Sequence, residues 1–320
     1  MTGNIDLQAL HAGQREALAA AGEPPPFEGR GIVTSAYDRE FPSCWVLMNE
    51  LARLGVGLPI QAWHRPGELS DAHRSLLLDL PLDLTFHQLD EDVDGPALDP
   101  FAIKPLVIAQ SSLREVLWLD SDCFPLRDPE FLFSDHGYAE KGALFWHDIM
   151  SYWEAMRWHP KSQIWPVFNV PPHDSEEFES GQLLVDKVRC WAEICMTVHF
   201  ARHRHFYYNY VYGDKDTFRM AWMHVAHARG RRIADRGFPT SGTAPYAFMP
   251  FTPFSMGASS GKLSCGGGSV LVQRDREGWP LFNHRAIFKF RSEGNIFNED
   301  LPEEKFYRRH LERLSELRKS

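Results

Sequence analysis

Val116-Leu117-Trp118-Leu119-Asp120-Ser121-Asp122 is the stretch on which the fold turns. An unbroken apolar run ending in a polar step reads as a strand buried on both faces, the kind that parallel sheets contain. Two carboxylates one residue apart follow it at once. In α/β proteins, ligands collect outside the carboxyl ends of such strands. Residues i and i+2 of an extended chain point the same way, so Asp120 and Asp122 can face one cation. Carboxylate oxygens suit a hard divalent ion, and such an ion is commonly held together with a substrate's phosphates. The plainer reading is a strand running into an Asp-rich turn, Asp122-Cys123-Phe124-Pro125. The pattern by itself leaves both open.

Working outward, Gly31-Ile32-Val33-Thr34 is the first core strand. It follows Glu23-Pro24-Pro25-Pro26, which no helix continues through, and a short helix is expected before that, over 5–21. Residues 43–54 carry apolar side chains at helical spacing and stop at Gly55. Residues 58–63 form the next strand and 68–79 another helix, which completes a parallel βαβ unit. An amphipathic helix over 104–111 leads into the strand ending at Asp120. Further strands are expected at 142–146, 183–185, 269–272 and 286–290, with a helix over 187–204. The expected divisions are an N-terminal helix and Pro-rich linker (1–30), one α/β catalytic domain (31–295) and a charged C-terminal helix (296–320). That last helix mixes Glu and Arg as a solvated face would, with peripheral membrane or partner docking as the alternative.

The chain has 320 residues, 43% hydrophobic and 24% charged, an ordinary make-up for a globular protein. A net charge of -9 argues against a broad electrostatic grip on nucleic acid. No stretch nears the roughly 18 to 20 apolar residues of a membrane span. The first residues lack the order of a secretory signal. Five cysteines without a C-x-x-C pair fit a reducing compartment, so a cytoplasmic or otherwise soluble protein is expected. Ten tryptophans supply flat surface that a core consumes or that bases and sugars stack on.

Several ordered motifs share a resemblance. They are Phe101-Ala102-Ile103-Lys104-Pro105-Leu106, Ser111 through Asp122, Asp128-Pro129-Glu130-Phe131-Leu132-Phe133, Gly142-Ala143-Leu144-Phe145-Trp146, Glu179 through Lys187 and Tyr212 through Phe218. Together they resemble the fungal α-mannosyltransferases (glycosyltransferase family 71), in order, from about Gly31 to Lys289. The resemblance implies an α/β protein of GT-A type, a Rossmann-like, mostly parallel sheet flanked by helices. Its Asp-x-Asp would hold Mn²⁺ (or Mg²⁺) against the diphosphate of a nucleotide-sugar donor.

By position, Asp120 and Asp122 would then be metal ligands, with Asp120 also touching the donor. His284 would be the third ligand, although a lone histidine in a turn is ordinarily a hydrogen-bonding residue. An imidazole beside two carboxylates suits Mn²⁺ better than Mg²⁺. Lys289 would offer charge to the β-phosphate. Asp214 and Asp216 would line the donor-sugar pocket with Lys215 close to the reaction centre, while their bland role is to cap a helix. Glu179 and Gln182 would form the neighbouring wall, with Gly181 letting the backbone approach the ligand. Tyr37, after the first strand, would stack on the base or simply pack a loop. Lys104 opens a helix, a natural anion site.

The implied activity is metal-dependent, retaining transfer of a hexose, mannose from GDP-mannose, to a carbohydrate hydroxyl. Front-face transfer would need no enzymic nucleophile, whereas double displacement would use Glu179 or Asp214. One alternative is a UDP-galactose or UDP-N-acetylglucosamine donor. A second is a haloacid-dehalogenase-like phosphatase, whose Asp-x-Asp sits in the first strand before a small residue and not before Cys123-Phe124. A third is an inactive carbohydrate-binding protein. His199, His203 and His205 lack acidic or thiolate neighbours for a second metal. Gly266-Gly267-Gly268 precedes a strand, so it reads as a flexible turn or lid and not as a phosphate loop.

Overall fold

A computed structural model of the protein describes residues 6–89, 102–148, 161–172, 178–211, 213–231, 247–248, 255–256, 271–286, 289–297 and 301–319. The elements run α1 (Leu7–Ala20), β1 (Glu28–Ser35), α2 (Phe41–Leu54), β2 (Ile60–His64), α3 (Asp71–Leu78), β3 (Leu84–Gln88), α4 (Ile103–Gln110) and β4 (Leu113–Leu119). There follow β5 (Cys123–Pro125), α5 (His136–Lys141), β6 (Ala143–His147), α6 (Ile164–Phe168), β7 (Phe178–Asp186), α7 (Trp191–Arg202), α8 (Arg204–Tyr207) and α9 (Asp214–Ala228). The last are β8 (Ala247–Phe248), β9 (Ser255–Met256), β10 (Leu271–Arg274), β11 (Pro280–His284) and α10 (Glu304–Leu317).

The main sheet has the order β3-β2-β1-β4-β7-β6-β8. β3, β2, β1 and β4 pair in parallel, and only β7 runs against its neighbours β4 and β6. The inner strands β2, β4, β7 and β6 and the C-terminal half of β1 are largely buried, whereas the edge strand β3 is half-exposed. Along β4, Val116 and Trp118 enter the core under α4, α7 and α9, while Leu117 and Leu119 enter the one under α2 and α10. The result is a three-layer α/β fold, helices on both sides of a mostly parallel sheet.

The N-terminal and C-terminal helices pack on this body. Gln14 of α1 is fully buried and donates to the Val167 carbonyl at 2.8 Å. The expectation of a merely solvated face for the C-terminal helix is corrected. α10 lies on α2, with Tyr307 and Leu314 in the core and the Trp45 indole donating to the His310 carbonyl at 2.7 Å. Among the described residues, no helix is long and apolar enough to cross a membrane.

Two connections position the site. β4 ends at Leu119, and β7, because it runs the other way, brings its first residues alongside: Leu119 pairs with Gln182, and the Asp120 N–H donates to the Gly181 carbonyl at 2.7 Å. The supposed turn after Asp122 is in fact β5, an edge of a second, antiparallel sheet of order β5-β11-β10-β9. β5 pairs with β11 in the register His284↔Cys123, which carries the C-terminal part of the chain to the aspartates. The strand expected at 286–290 falls partly outside the described residues, and the chain forms a strand before it, at Pro280–His284. Pro280 does not break it, because a strand's first residue need not donate to the ladder. Ile287, Phe288 and the glycine run at 266–268 lie outside the described residues.

Candidate active site

Asp120, Asp122 and His284 come together at the meeting point of the two sheets. One ligand atom from each lies within 4.8 Å of the others. The parts come from distant sequence: the end of β4, the step into β5, and the end of β11. His284 is thus the final residue of a strand and not a turn residue.

Asp122 is buried, and its two oxygens face different ways. Oδ2 is 3.0 Å from Lys289 Nζ, while Oδ1 lies 3.5 Å from His284 Nε2 and makes no hydrogen bond. A buried carboxylate oxygen left without a donor is costly unless something cationic faces it. Burial raises the Asp122 carboxyl's proton affinity, but His284 and Lys289 outweigh that and hold it below the usual range. Asp120 accepts the Trp118 indole N–H at 2.6 Å and lies 3.1 Å from Lys104 Nζ. Burial raises its pKa despite that lysine.

Glu179 sits behind the imidazole. Its Oε1 accepts the N–H groups of Ser180 and Gly181, each at 2.9 Å, and lies 3.4 Å from His284 Nδ1. Burial opposes ionisation, yet His284, the Gly181 N–H and the nearby Lys215 charge bring the carboxyl down to about 2. Burial disfavours the imidazolium, and Glu179 and Asp122 reverse this, raising the His284 pKa well above its ordinary value. A carboxylate against the far nitrogen of a histidine is the arrangement that orients metal-binding imidazoles. Gly181 makes room for the ring: a Cβ there would stand 2.4 Å from His284 Cε1 and 2.6 Å from Nδ1. In the structure the group that the bare Gly181 backbone approaches is this imidazole.

Lys104, 6% exposed, does not stand open to an anion as its place at the start of α4 suggested. Its Nζ spans Asp120 and Asp214 Oδ2 (3.2 Å) and donates to the Ser180 carbonyl at 2.6 Å. Burial disfavours its charge, but the two carboxylates prevail and raise its pKa. Asp214 opens α9 without capping it. The N-cap is Gly213, whose φ of 81° favours glycine, and no side chain caps the helix, so neither Asp214 nor Asp216 plays that part. Asp216 is buried within the first turn. Lys215 pairs with Asp148, just past β6. Gln182 is fully buried, its carbonyl accepting the Cys123 thiol at 3.2 Å. Lys289 is shared between Asp122 and Glu40 (2.9 Å). The Tyr37 hydroxyl donates to the same Glu40 at 3.3 Å.

Two contributors escaped the sequence reading. Trp118 lay two residues before Asp120 on the same side of a strand, a placement that could have disclosed it. Glu40 carries no motif of its own. The rings of His199 on α7 and His203 just past its end are tilted with centroids 4.4 Å apart, and no carboxylate or thiolate joins them in a metal-holding group among the described residues. The four described cysteines are free thiols.

The donor set of two carboxylates and an imidazole, the orphaned Asp122 Oδ1 and the cradle at Gly181 fit a divalent cation with mixed oxygen and nitrogen ligands.

Residues 29–164 match the family described as "Mannosyltransferase putative". A curated relative, the "Putative alpha-1,3-mannosyltransferase MNN14" of Candida albicans, is 29% identical over 141 residues, 38% of this chain and 19% of its own length. The chain thus spans about a fifth of that relative. Among solved structures, the bifunctional glycosyltransferase WbbM is similar with a TM-score of 0.46 and 15% identity, over 62% of this chain and 38% of that one. The galactosyltransferase LgtC, solved with donor and acceptor sugar analogues, has a TM-score of 0.46 and 14% identity, over 69% and 84%. The family match over residues 29–164 takes in the segment that carries Lys104, Asp120 and Asp122.

Proposed function

We propose that the protein is a metal-dependent, retaining glycosyltransferase that moves mannose from GDP-mannose to a carbohydrate hydroxyl. One observation carries the metal: the Asp120, Asp122 and His284 ligand atoms converge within 4.8 Å around a buried carboxylate oxygen with no donor. Transfer of a mannosyl group is supported by the mannosyltransferase match over 29–164, and the GDP donor and retention follow from the family resemblance of the motifs.

The chemical problem is the leaving group. As the anomeric C–O bond breaks, its electron pair stays on the nucleoside diphosphate. A divalent ion held by Asp120, Asp122 and His284 would supply electrostatic stabilisation of that charge. The chain's own part is preorganisation. Trp118 and Lys104 fix Asp120, Glu179 fixes the imidazole, and Lys289 adds a fixed positive charge beside Asp122. Glu179 is committed to two backbone N–H groups and His284, and Asp214 to Lys104. Neither carboxylate is presented as a nucleophile, which favours front-face transfer. In that mechanism the acceptor oxygen attacks from the side the diphosphate leaves, and its proton passes to the departing phosphate oxygen.

The test is a thermal-shift panel of GDP-mannose, UDP-galactose and UDP-N-acetylglucosamine with and without Mn²⁺, on the wild-type chain and Asp122→Asn. A donor at 100 times its Kd stabilises the fold by about 2.7 kcal/mol. GDP-mannose should do this only with Mn²⁺ and only with Asp122 intact. A larger shift with a UDP-sugar would reassign the donor. No shift with any nucleotide sugar, together with phosphate release from simple esters, would replace the transferase by a phosphatase.

A further inference from the structure

Glu40 belongs to none of the motifs, yet it joins two parts of the site. It ends the short 3-10 turn Asp38–Glu40 between β1 and α2. Its Oε2 accepts Lys289 Nζ at 2.9 Å and the Tyr37 hydroxyl at 3.3 Å. Lys289 Nζ is in turn 3.0 Å from Asp122 Oδ2. Asp122 is thereby divided in function. Its outer oxygen is tied to a lysine, and its inner oxygen, Oδ1, lies 3.5 Å from His284 Nε2 in the cluster that Asp120 completes.

A ligating carboxylate keeps its orientation only if its second oxygen is also held. A lysine is a poor anchor by itself, since its charge rides on a flexible four-carbon stem. Lys289 is 37% exposed along its side chain, so one contact to Asp122 would leave it free to swing into solvent. Glu40 supplies the opposing contact. The next residue is pinned to the same segment, with the Phe290 N–H donating to Ser43 Oγ at 3.0 Å.

We propose that Glu40 is a positioning residue: it holds Lys289 on the outer oxygen of Asp122, keeps Oδ1 turned to the cation, and ties the metal end of the site to the Tyr37 loop. This deepens the metal reading above and rests on it. Mn²⁺ binding to the full chain, followed by the electron paramagnetic resonance signal of free Mn²⁺, tests it in wild type, Glu40→Gln, Lys289→Met and the double variant. Glu40→Gln weakens Mn²⁺ binding by on the order of tenfold. In the Lys289→Met background the same change shifts binding by less than about twofold, because Lys289 carries the effect. Glutamine keeps the size of a partly exposed side chain that caps no helix, so the melting temperature stays that of wild type. Equal weakening in both backgrounds would mean that Glu40 acts through its charge alone, and no weakening in either would mean that it does not act; both overturn the proposal. A wild-type chain that binds no Mn²⁺ would refute the metal reading itself, a result distinct from a Mn²⁺-binding chain indifferent to Glu40.

Discussion

Gly181→Ala asks whether the imidazole cradle sets the metal geometry. The added Cβ would meet His284 at 2.4 Å (Cε1), 2.6 Å (Nδ1) and 2.8 Å (Nε2), where ordinary contact begins at 3.4 Å. Relief requires a retreat of about 1 Å, the difference between 3.4 and 2.4 Å. The strand cannot give way easily, because the Gly181 carbonyl holds the Asp120 N–H and its own N–H holds Glu179. The ring moves instead, out of its place beside Asp122. Metal–ligand distances tolerate only about 0.2 Å, so the imidazole is lost as a ligand. A misplacement of about 1 Å at a reacting centre costs on the order of 10²-fold in turnover. Overpacking costs a further 1–3 kcal/mol or so of stability. Titration calorimetry with Mn²⁺ and thermal melts read the two effects separately. His284→Ala should match Gly181→Ala in Mn²⁺ affinity, and the double variant should melt above Gly181→Ala, since the clash is gone. A Gly181→Ala protein that binds Mn²⁺ and turns over as wild type does would refute the reasoning.

Glu179→Gln keeps the shape but not the charge behind His284, so Mn²⁺ affinity falls about 10- to 100-fold with the fold intact; abolished turnover with unchanged Mn²⁺ affinity would instead make Glu179 a nucleophile. Lys187→Met removes a fully buried amine that donates to the Ser111 and Ala109 carbonyls at 2.5 and 3.2 Å and lies 3.4 Å from the Phe27 ring centroid. Two orphaned carbonyls should cost about 1–3 kcal/mol, seen as a lower urea midpoint, and an unchanged midpoint would show that the amine contributes nothing. Burial and the positive neighbours His203, His224 and Arg202 bring His199 down to about 4 from its ordinary 6.5. The unfolded chain therefore takes up this proton first, and stability falls as pH drops from 6.5 to about 4, by about 1–2 kcal/mol after allowing for partial exposure. His199→Phe should flatten that part of the melting profile, and a profile as steep as wild type would place the acid sensitivity elsewhere.

Local sequence carried the parallel half of the fold, because β1 and β4 hold the short apolar runs Ile32-Val33 and Val116 to Leu119 and α2 ends at a glycine. It failed where pairing is decided at a distance. β3 (Leu84–Gln88) is a half-exposed edge strand without a strong apolar run, and β5 (Cys123–Pro125) is too short to show a period. The site divides the same way. Asp120 and Asp122 were legible as a pair because they share a strand end. His284 was reached only through a family resemblance, since nothing near it in sequence says that it meets them. Its delivery depends on one register, His284 opposite Cys123, with Asn283 opposite Phe124 and Phe282 opposite Pro125. A slip of one residue turns every side chain of a strand to its other face. It would present Asn283 or Arg285 to Asp122, and Arg285 is already committed to Glu304 at the foot of α10. The Arg285 N–H bond to the Asp122 carbonyl (2.9 Å) and the Asn283 bond to Glu304 (3.2 Å) both belong to the observed register alone. The C-terminal helix, which read as a solvated appendage, therefore helps to choose which residue of β11 faces the aspartates.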